Sequence, residues 1–197
     1  MSVVADFEAS EFARAMRAPT AFYEGDDDET ARRALPARLA LVMLSLGAFV
    51  SFTTAGRLVA WHLVATALAW SFLPLLQLIS LAAATRAGGA RRSLAATFSG
   101  HLAGYGPWLL LLALVDGVCI VARDVFGAFA ALARTGALPA LVLATIVWSV
   151  LIQRALLRAS VARAGRATAV YYGVFVSLVV LWYIANGDLL PLLGVFV

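Results

Sequence analysis

Lysine is absent from this 197-residue chain, cysteine occurs once, histidine twice, and only 13% of the residues are charged. Soluble domains carry about a quarter of their residues as charges, so an ordinary water-soluble globule is excluded. One cysteine, Cys119, allows no internal disulfide and no thiolate metal cluster. It lies in an apolar run and reads as packing. Beyond residue 30 the only acids are Asp116, Asp124 and Asp188, too few for most metal or acid–base constellations. The expectation is therefore a chain that is not an enzyme, holds no metal and needs no cofactor.

What is abundant is apolar length. Hydrophobic residues make up 63% of the chain, in stretches that approach the roughly 20 residues needed to cross a bilayer. The expected fold class is all-α, an integral membrane bundle of five transmembrane helices at Leu39–Ala55, Leu58–Ala84, Leu102–Ala122, Ala137–Ile152 and Ala167–Ala185. Two domains follow: a polar leader over 1–35 and a membrane domain over 36–197. Gly56-Arg57 must turn tightly between the first two spans, and Pro74 is expected to kink the second. Val125, Phe126, Phe129 and Leu132 suggest a short interfacial helix, and Leu189–Val197 is apolar but too short to cross. The small residues Gly47, Ala48, Gly104, Gly106, Ala140, Ala144 and Gly173 suit close helix contact in lipid.

Charge sets the orientation. Residues 1–30 hold eight acids against Arg14 and Arg17, whereas the remainder holds thirteen arginines against three acids. Arg32, Arg33 and Arg38 precede the first span; Arg86, Arg91 and Arg92 join the second to the third; Arg154, Arg158, Arg163 and Arg166 follow the fourth. Only Arg57, Arg123 and Arg134 belong to the other side, which places the N-terminus in the cytoplasm and the C-terminus outside. These arginines at helix ends are explained by orientation and anionic-lipid contact rather than by nucleic acid. Within the leader, Ala5, Ala9, Phe12 and Met16 recur at helical spacing until Pro19, and Glu24–Glu29 reads as a solvated acidic loop.

Few residues inside the spans offer chemistry. Asp116 lies among Leu, Val, Gly and Cys, about 9 Å below the outer edge of its span, and His62 lies at nearly the same depth on the second span. A buried ionisable group costs at least about 2.5 kcal/mol on insertion scales and should face the bundle or a watery cavity. A His62–Asp116 pair with Arg57 or Arg123 nearby is the candidate intramembrane polar site. It reads either as a proton or substrate site or as a structural tie between helices. His62 and His101 sit at opposite depths, which excludes paired axial ligation of one haem iron. Asp116-Gly117 followed by Ala122-Arg123 has the wrong spacing for the D-G-x-x-A-R element of CDP-alcohol phosphatidyltransferases. Ser99-Gly100-His101 lacks the rhomboid protease pattern.

Gly104-Tyr105-Gly106-Pro107 is the most distinctive local element: glycine and proline weaken the helix, and Pro107 frees a carbonyl. With a polar leader, five spans and N-in/C-out orientation, Gly104-Tyr105 followed by Pro107 resembles the Yip family of five-span membrane proteins, here as a bacterial-type relative. Leu35-Pro36 stands where that family carries Asp-Leu-Tyr-Gly-Pro. That family is named for contacts with Ypt/Rab GTPases and has bacterial relatives of unassigned role. From the residues themselves the expectation is a bundle without a catalytic centre, in the inner membrane of a bacterium, in contact with membrane lipids and with a membrane-protein partner or a second copy. Three functions follow from these features: a scaffold or small complex subunit docking partners through its helix faces and acidic leader, a transport component using Asp116 and His62, and lipid handling through the arginine patches.

Overall fold

The computed structural model describes residues 11–121, 127, 131–132 and 134–185, with the side chains of 119 and 120 left aside. Arg123, Val125, Phe126, Phe129, Leu189–Val197 and the side chain of Cys119 therefore lie outside the described residues. Residues 11–17 are helical, followed by α1 (Pro19–Gly25), α2 (Asp28–Ala55), α3 (Ala60–Trp70), α4 (Phe72–Gly88), α5 (Leu94–Ala103), α6 (Gly106–Val121), α7 (Ala137–Ser160) and α8 (Ala164–Ala185). Five segments are long and apolar enough to cross a membrane: Asp28–Ala55, Ala60–Gly88, Leu94–Val118, Ala137–Ser160 and Ala164–Ala185. The protein is an all-α helical membrane bundle, as its hydropathy requires.

The helices run further than the apolar stretches alone indicate. The first begins at Asp28 and passes through Pro36, the third begins at Leu94, and the fourth continues to Ser160. The added turns of α2 and α7 carry arginine side chains, and those of α5 carry Thr97, Ser99 and His101, buried in the bundle. Asp27 starts α2 as its cap, accepting from the Thr30 amide at 2.8 Å and the Thr30 hydroxyl at 2.7 Å. The opposite end closes on Gly56 in the left-handed region (φ 65°). Ser51 Oγ secures that hairpin, donating to Arg57 O and accepting from the Val59 amide, both at 2.8 Å.

Two spans are broken. The second divides at Ser71, three residues before Pro74, and the third at Gly104-Tyr105, two before Pro107. Both prolines occupy the first turn of the following helix, where a missing N–H costs nothing. The second span is interrupted beside Pro74, where the sequence places its kink, while Ser71 itself keeps helical backbone angles (φ −61°, ψ −20°).

The third span is central, with 61% of its apolar window buried against 33% or less in the others. The α5 half lies against α2, α4 and α7, and α4 packs along α8. Val42, Leu81, Phe98, Leu102, Leu157 and Tyr171 form the main core. Large side chains such as Trp61, Leu68, Leu143 and Leu181 face outward, the arrangement expected of helices solvated by lipid. Among the small residues, Gly47, Gly104 and Gly106 are where close approach occurs: an added Cβ would fall 2.8 Å from Leu63 O, 2.9 Å from Ile152 Cγ2 and 2.5 Å from Met16 Cγ respectively. Gly173 has open space beside it, and Ala140 and Ala144 are exposed.

The leader belongs to the fold rather than standing apart from it. Phe22 and Tyr23 of α1 pack with Ala103, Ile152 and Leu156, and the Tyr23 hydroxyl donates to Gly100 O at 3.0 Å. Arg38, only 1% exposed, donates to Glu11 Oε2 at 2.8 Å and Ser99 Oγ at 2.9 Å. Arg92 binds Asp28 Oδ1 at 2.8 Å and Asp26 O at 2.6 Å. The acidic run is solvated only in part: Glu24, Asp27 and Glu29 are exposed, whereas Asp26 and Asp28 hold the α4–α5 connection and Asp27 caps α2. That connection pairs with the α7–α8 turn through Arg91 N–H to Ser160 O and Arg163 N–H to Gly88 O, both 2.8 Å. Leader and both arginine-rich turns consequently share one end of the bundle.

Candidate functional site

The third span delivers its polar groups to the interior because the break at Gly104-Tyr105 follows immediately after His101. Gly104 N–H bonds back to Gly100 O and His101 O, both at 3.1 Å, closing α5 tightly. One turn earlier, His101 Nδ1 lies 2.7 Å from Gln153 Oε1 on α7. With the amide oxygen facing the ring, Nδ1 carries the proton and Nε2 is left as an acceptor; with the amide turned over the two roles exchange, and one donor and one acceptor are left in either case. One residue past the turn, the Tyr105 hydroxyl donates to Gln77 Oε1 on α4 at 2.6 Å. Tyr171 of α8 completes the surround, its ring centroid 5.7 Å from that of His101. Four helices thus converge on one polar cluster.

This cluster forms one wall of a cavity of about 620 Å³. The remaining wall is apolar and aromatic, with Trp70, Trp108, Leu112, Phe175 and Val176 among its residues. Trp70 ends α3 at the Ser71 break, so both broken spans border the cavity. Irregular backbone at membrane depth is tolerated where it lines a cavity. Three buried polar atoms here lack a hydrogen-bond partner: His101 Nε2, Gln153 Nε2 and Ser149 Oγ. Buried polar atoms are ordinarily satisfied, and His101 and Gln153 are only 8% and 5% exposed.

The expected His62–Asp116 pair is not formed. His62 Nδ1 sits 3.5 Å from Thr54 Oγ1 across the α2–α3 hairpin, and Asp116 Oδ1 is buried with no hydrogen-bond partner. α2 packs against both α3 and α6, so similar depth did not make these two residues neighbours. Neither lines the cavity, and Arg57 is exposed at the hairpin turn. Of the break element, Gly104 and Tyr105 line the cavity while Gly106 seats the leader at Met16. Arg92 is withdrawn from any lipid surface by its leader contacts, its side chain 10% exposed. Arg86, Arg91, Arg154, Arg158, Arg163 and Arg166 are exposed at the leader end.

Sequence reasoning passed over Gln77, Gln153 and Ser149, and weighed His101 only as a haem ligand or protease residue. A usable signal was present: the chain has just two glutamines, Gln77 inside an apolar stretch and Gln153 at the end of one, beside Arg154, and an amide within a span is expensive without a partner. No family model, curated protein or solved structure matches this chain.

Proposed function

We propose that this protein is a non-enzymatic, multi-pass membrane protein that takes a small amphipathic molecule from the bilayer into the cavity beside His101 and Gln153, as a transport or carrier component. The observation that carries this reading is the cavity itself: apolar and aromatic walls with a few convergent, unsatisfied polar groups are the usual character of a small-molecule site. Exposed lining residues support entry from the side, since Trp70, Ile146 and Val176 are 40%, 43% and 56% exposed on mid-bundle surfaces. Two broken spans at the cavity resemble the discontinuous helices of transporter sites. The alternative adaptor role has less support, because Glu11, Asp26 and Asp28 of the leader are engaged by Arg38 and Arg92. The arginine-rich end faces the cytoplasm of a bacterial inner membrane in this proposal, with its exposed arginines on anionic headgroups. A Yip-type relationship is proposed for the architecture alone.

Native mass spectrometry of the chain extracted in mild detergent tests the reading. The expected spectrum shows a lipid-like adduct that is lost in Val176→Trp, which fills the mouth, and kept in Asp116→Asn. An adduct indifferent to Val176→Trp, or a stoichiometric protein partner in its place, overturns it.

A further inference from the structure

We infer that the cavity selects a neutral amphiphile with a single hydroxyl head, of the isoprenoid or fatty alcohol class; this rests on the binding reading above. Among the described residues the lining contains no arginine, aspartate or glutamate, so an anionic or cationic head would enter without a counter-charge from them, at a large desolvation cost. The unsatisfied atoms define the complementary head. With the amide oxygen facing the ring, His101 Nε2 is an acceptor and Gln153 Nε2 is a donor, and both belong to a side-chain pair joined at 2.7 Å. A hydroxyl donates to one and accepts from the other. Ser149 Oγ, one helical turn before Gln153 on α7, is a third unsatisfied group able to do either. A plain hydrocarbon would leave all three unsatisfied, and a ketone or ester could accept from the donor of the pair but offer nothing to its acceptor. The tail then lies along Trp108, Leu112, Phe175 and Val176 toward the lateral mouth.

Radiolabelled farnesol, titrated onto the full chain in lipid nanodiscs, reads this directly against two competitors: farnesyl phosphate, and the matching C15 hydrocarbon without a head. Farnesol is expected to bind saturably, one molecule per chain, with both competitors weaker by about tenfold or more. His101→Phe alone leaves Gln153 unpaired and risks the fold, so the decisive variant is His101→Phe with Gln153→Leu, which removes both partners together. It should bring the farnesol and hydrocarbon affinities together, by weakening farnesol and by holding or tightening the hydrocarbon, which no longer covers two unsatisfied polar atoms. Equal binding of farnesol and hydrocarbon by the unaltered chain overturns head recognition but leaves the cavity reading standing. Tighter binding of farnesyl phosphate overturns the neutral class. If none of the three binds while a native adduct is still displaced by Val176→Trp, the alcohol class is wrong and the cavity reading survives.

Discussion

The two ends of the bundle hold their polar groups in different ways. At the leader end, Arg38, Arg92, Tyr23, Tyr105 and His101 each reach a residue on another element, across sequence separations of 28 to 77. At the opposite end, among the described residues, Ser51 and Thr54 bond within one hairpin, across separations of 4 to 8, and Asp116 Oδ1 is buried without a hydrogen-bond partner. Long-range polar bonds fix which helices are neighbours; local ones only close a turn. Among the described residues, the long-range bonds, those of His101 and Tyr105 at the cavity included, lie on the leader side of the bundle. Placing an intramembrane acid at the correct depth does not by itself create a site.

The sharpest way to break that contrast is to remove Arg38. It is nearly inaccessible and bridges the leader to α5, so Arg38→Ala leaves Glu11 buried without its counter-charge. Losing one member of a buried pair costs about 3 kcal/mol or more. The expected outcome is a large drop in melting temperature in detergent, with rapid protease cleavage in the segment 11–27. His62→Ala at the other end should leave both unchanged.

A smaller effect is expected at Gly106, where the leader touches the third span. In Gly106→Val the first added carbon alone would fall 2.5 Å from Met16 Cγ; this displaces residues 11–17 and costs about 1–3 kcal/mol by overpacking. Gly173→Val, with nothing within 4 Å of its Cβ position, serves as the contrast and should melt within roughly 0.5 kcal/mol of the unaltered chain. Equal losses at the two glycines would show that the leader contact contributes nothing.

Much of the fold was legible because hydrocarbon imposes a strong and simple constraint. Apolar length gave five spans, Gly56-Arg57 gave the first turn, and Pro74 and Pro107 stand within three residues of the true breaks. The helix ends were less legible, because α7 keeps its helical geometry through Arg154 and Arg158 after the apolar stretch has stopped. The site was the least legible. Depth along a helix follows from counting residues, but which way a side chain points depends on rotation and on the identity of the neighbouring helix. Asp116 and His62 satisfied the first condition and failed the second. His101 and Gln153, separated by 52 positions, satisfied both, and only the packing of α5 against α7 brings them together. The leader was read only in part for a related reason: Glu11, Asp26 and Asp28 look solvated until Arg38, paired with Glu11, and Arg92, paired with Asp26 and Asp28, are seen to lie against them.

The smallest expected effects come from two neighbouring acids in the α1–α2 connection. Burial outweighs the attraction of Arg38 and Arg92 and raises Asp26 above the usual carboxylate range, whereas bonds from the Thr30 amide and hydroxyl hold exposed Asp27 below it. A raised acid favours the folded state while protonated, so the Asp26 contribution is present at low pH and is lost as pH rises through its folded value, above 3.8. A lowered acid does the reverse: the Asp27 contribution is present above its unfolded value and is lost as pH falls through its folded value, below 3.8. At neutral pH, Asp26→Asn should therefore make the leader slightly more resistant to protease. Asp27→Asn, which still caps α2 but loses a negative charge at the helix N-terminus, should make it slightly less so. Both differences should shrink as the medium is acidified through the carboxylate range, as followed by cleavage rate against pH. Changes of the same sign in the two variants would mean that a common surface-charge effect, and not the burial of Asp26 against the capping by Asp27, sets the docking of the leader.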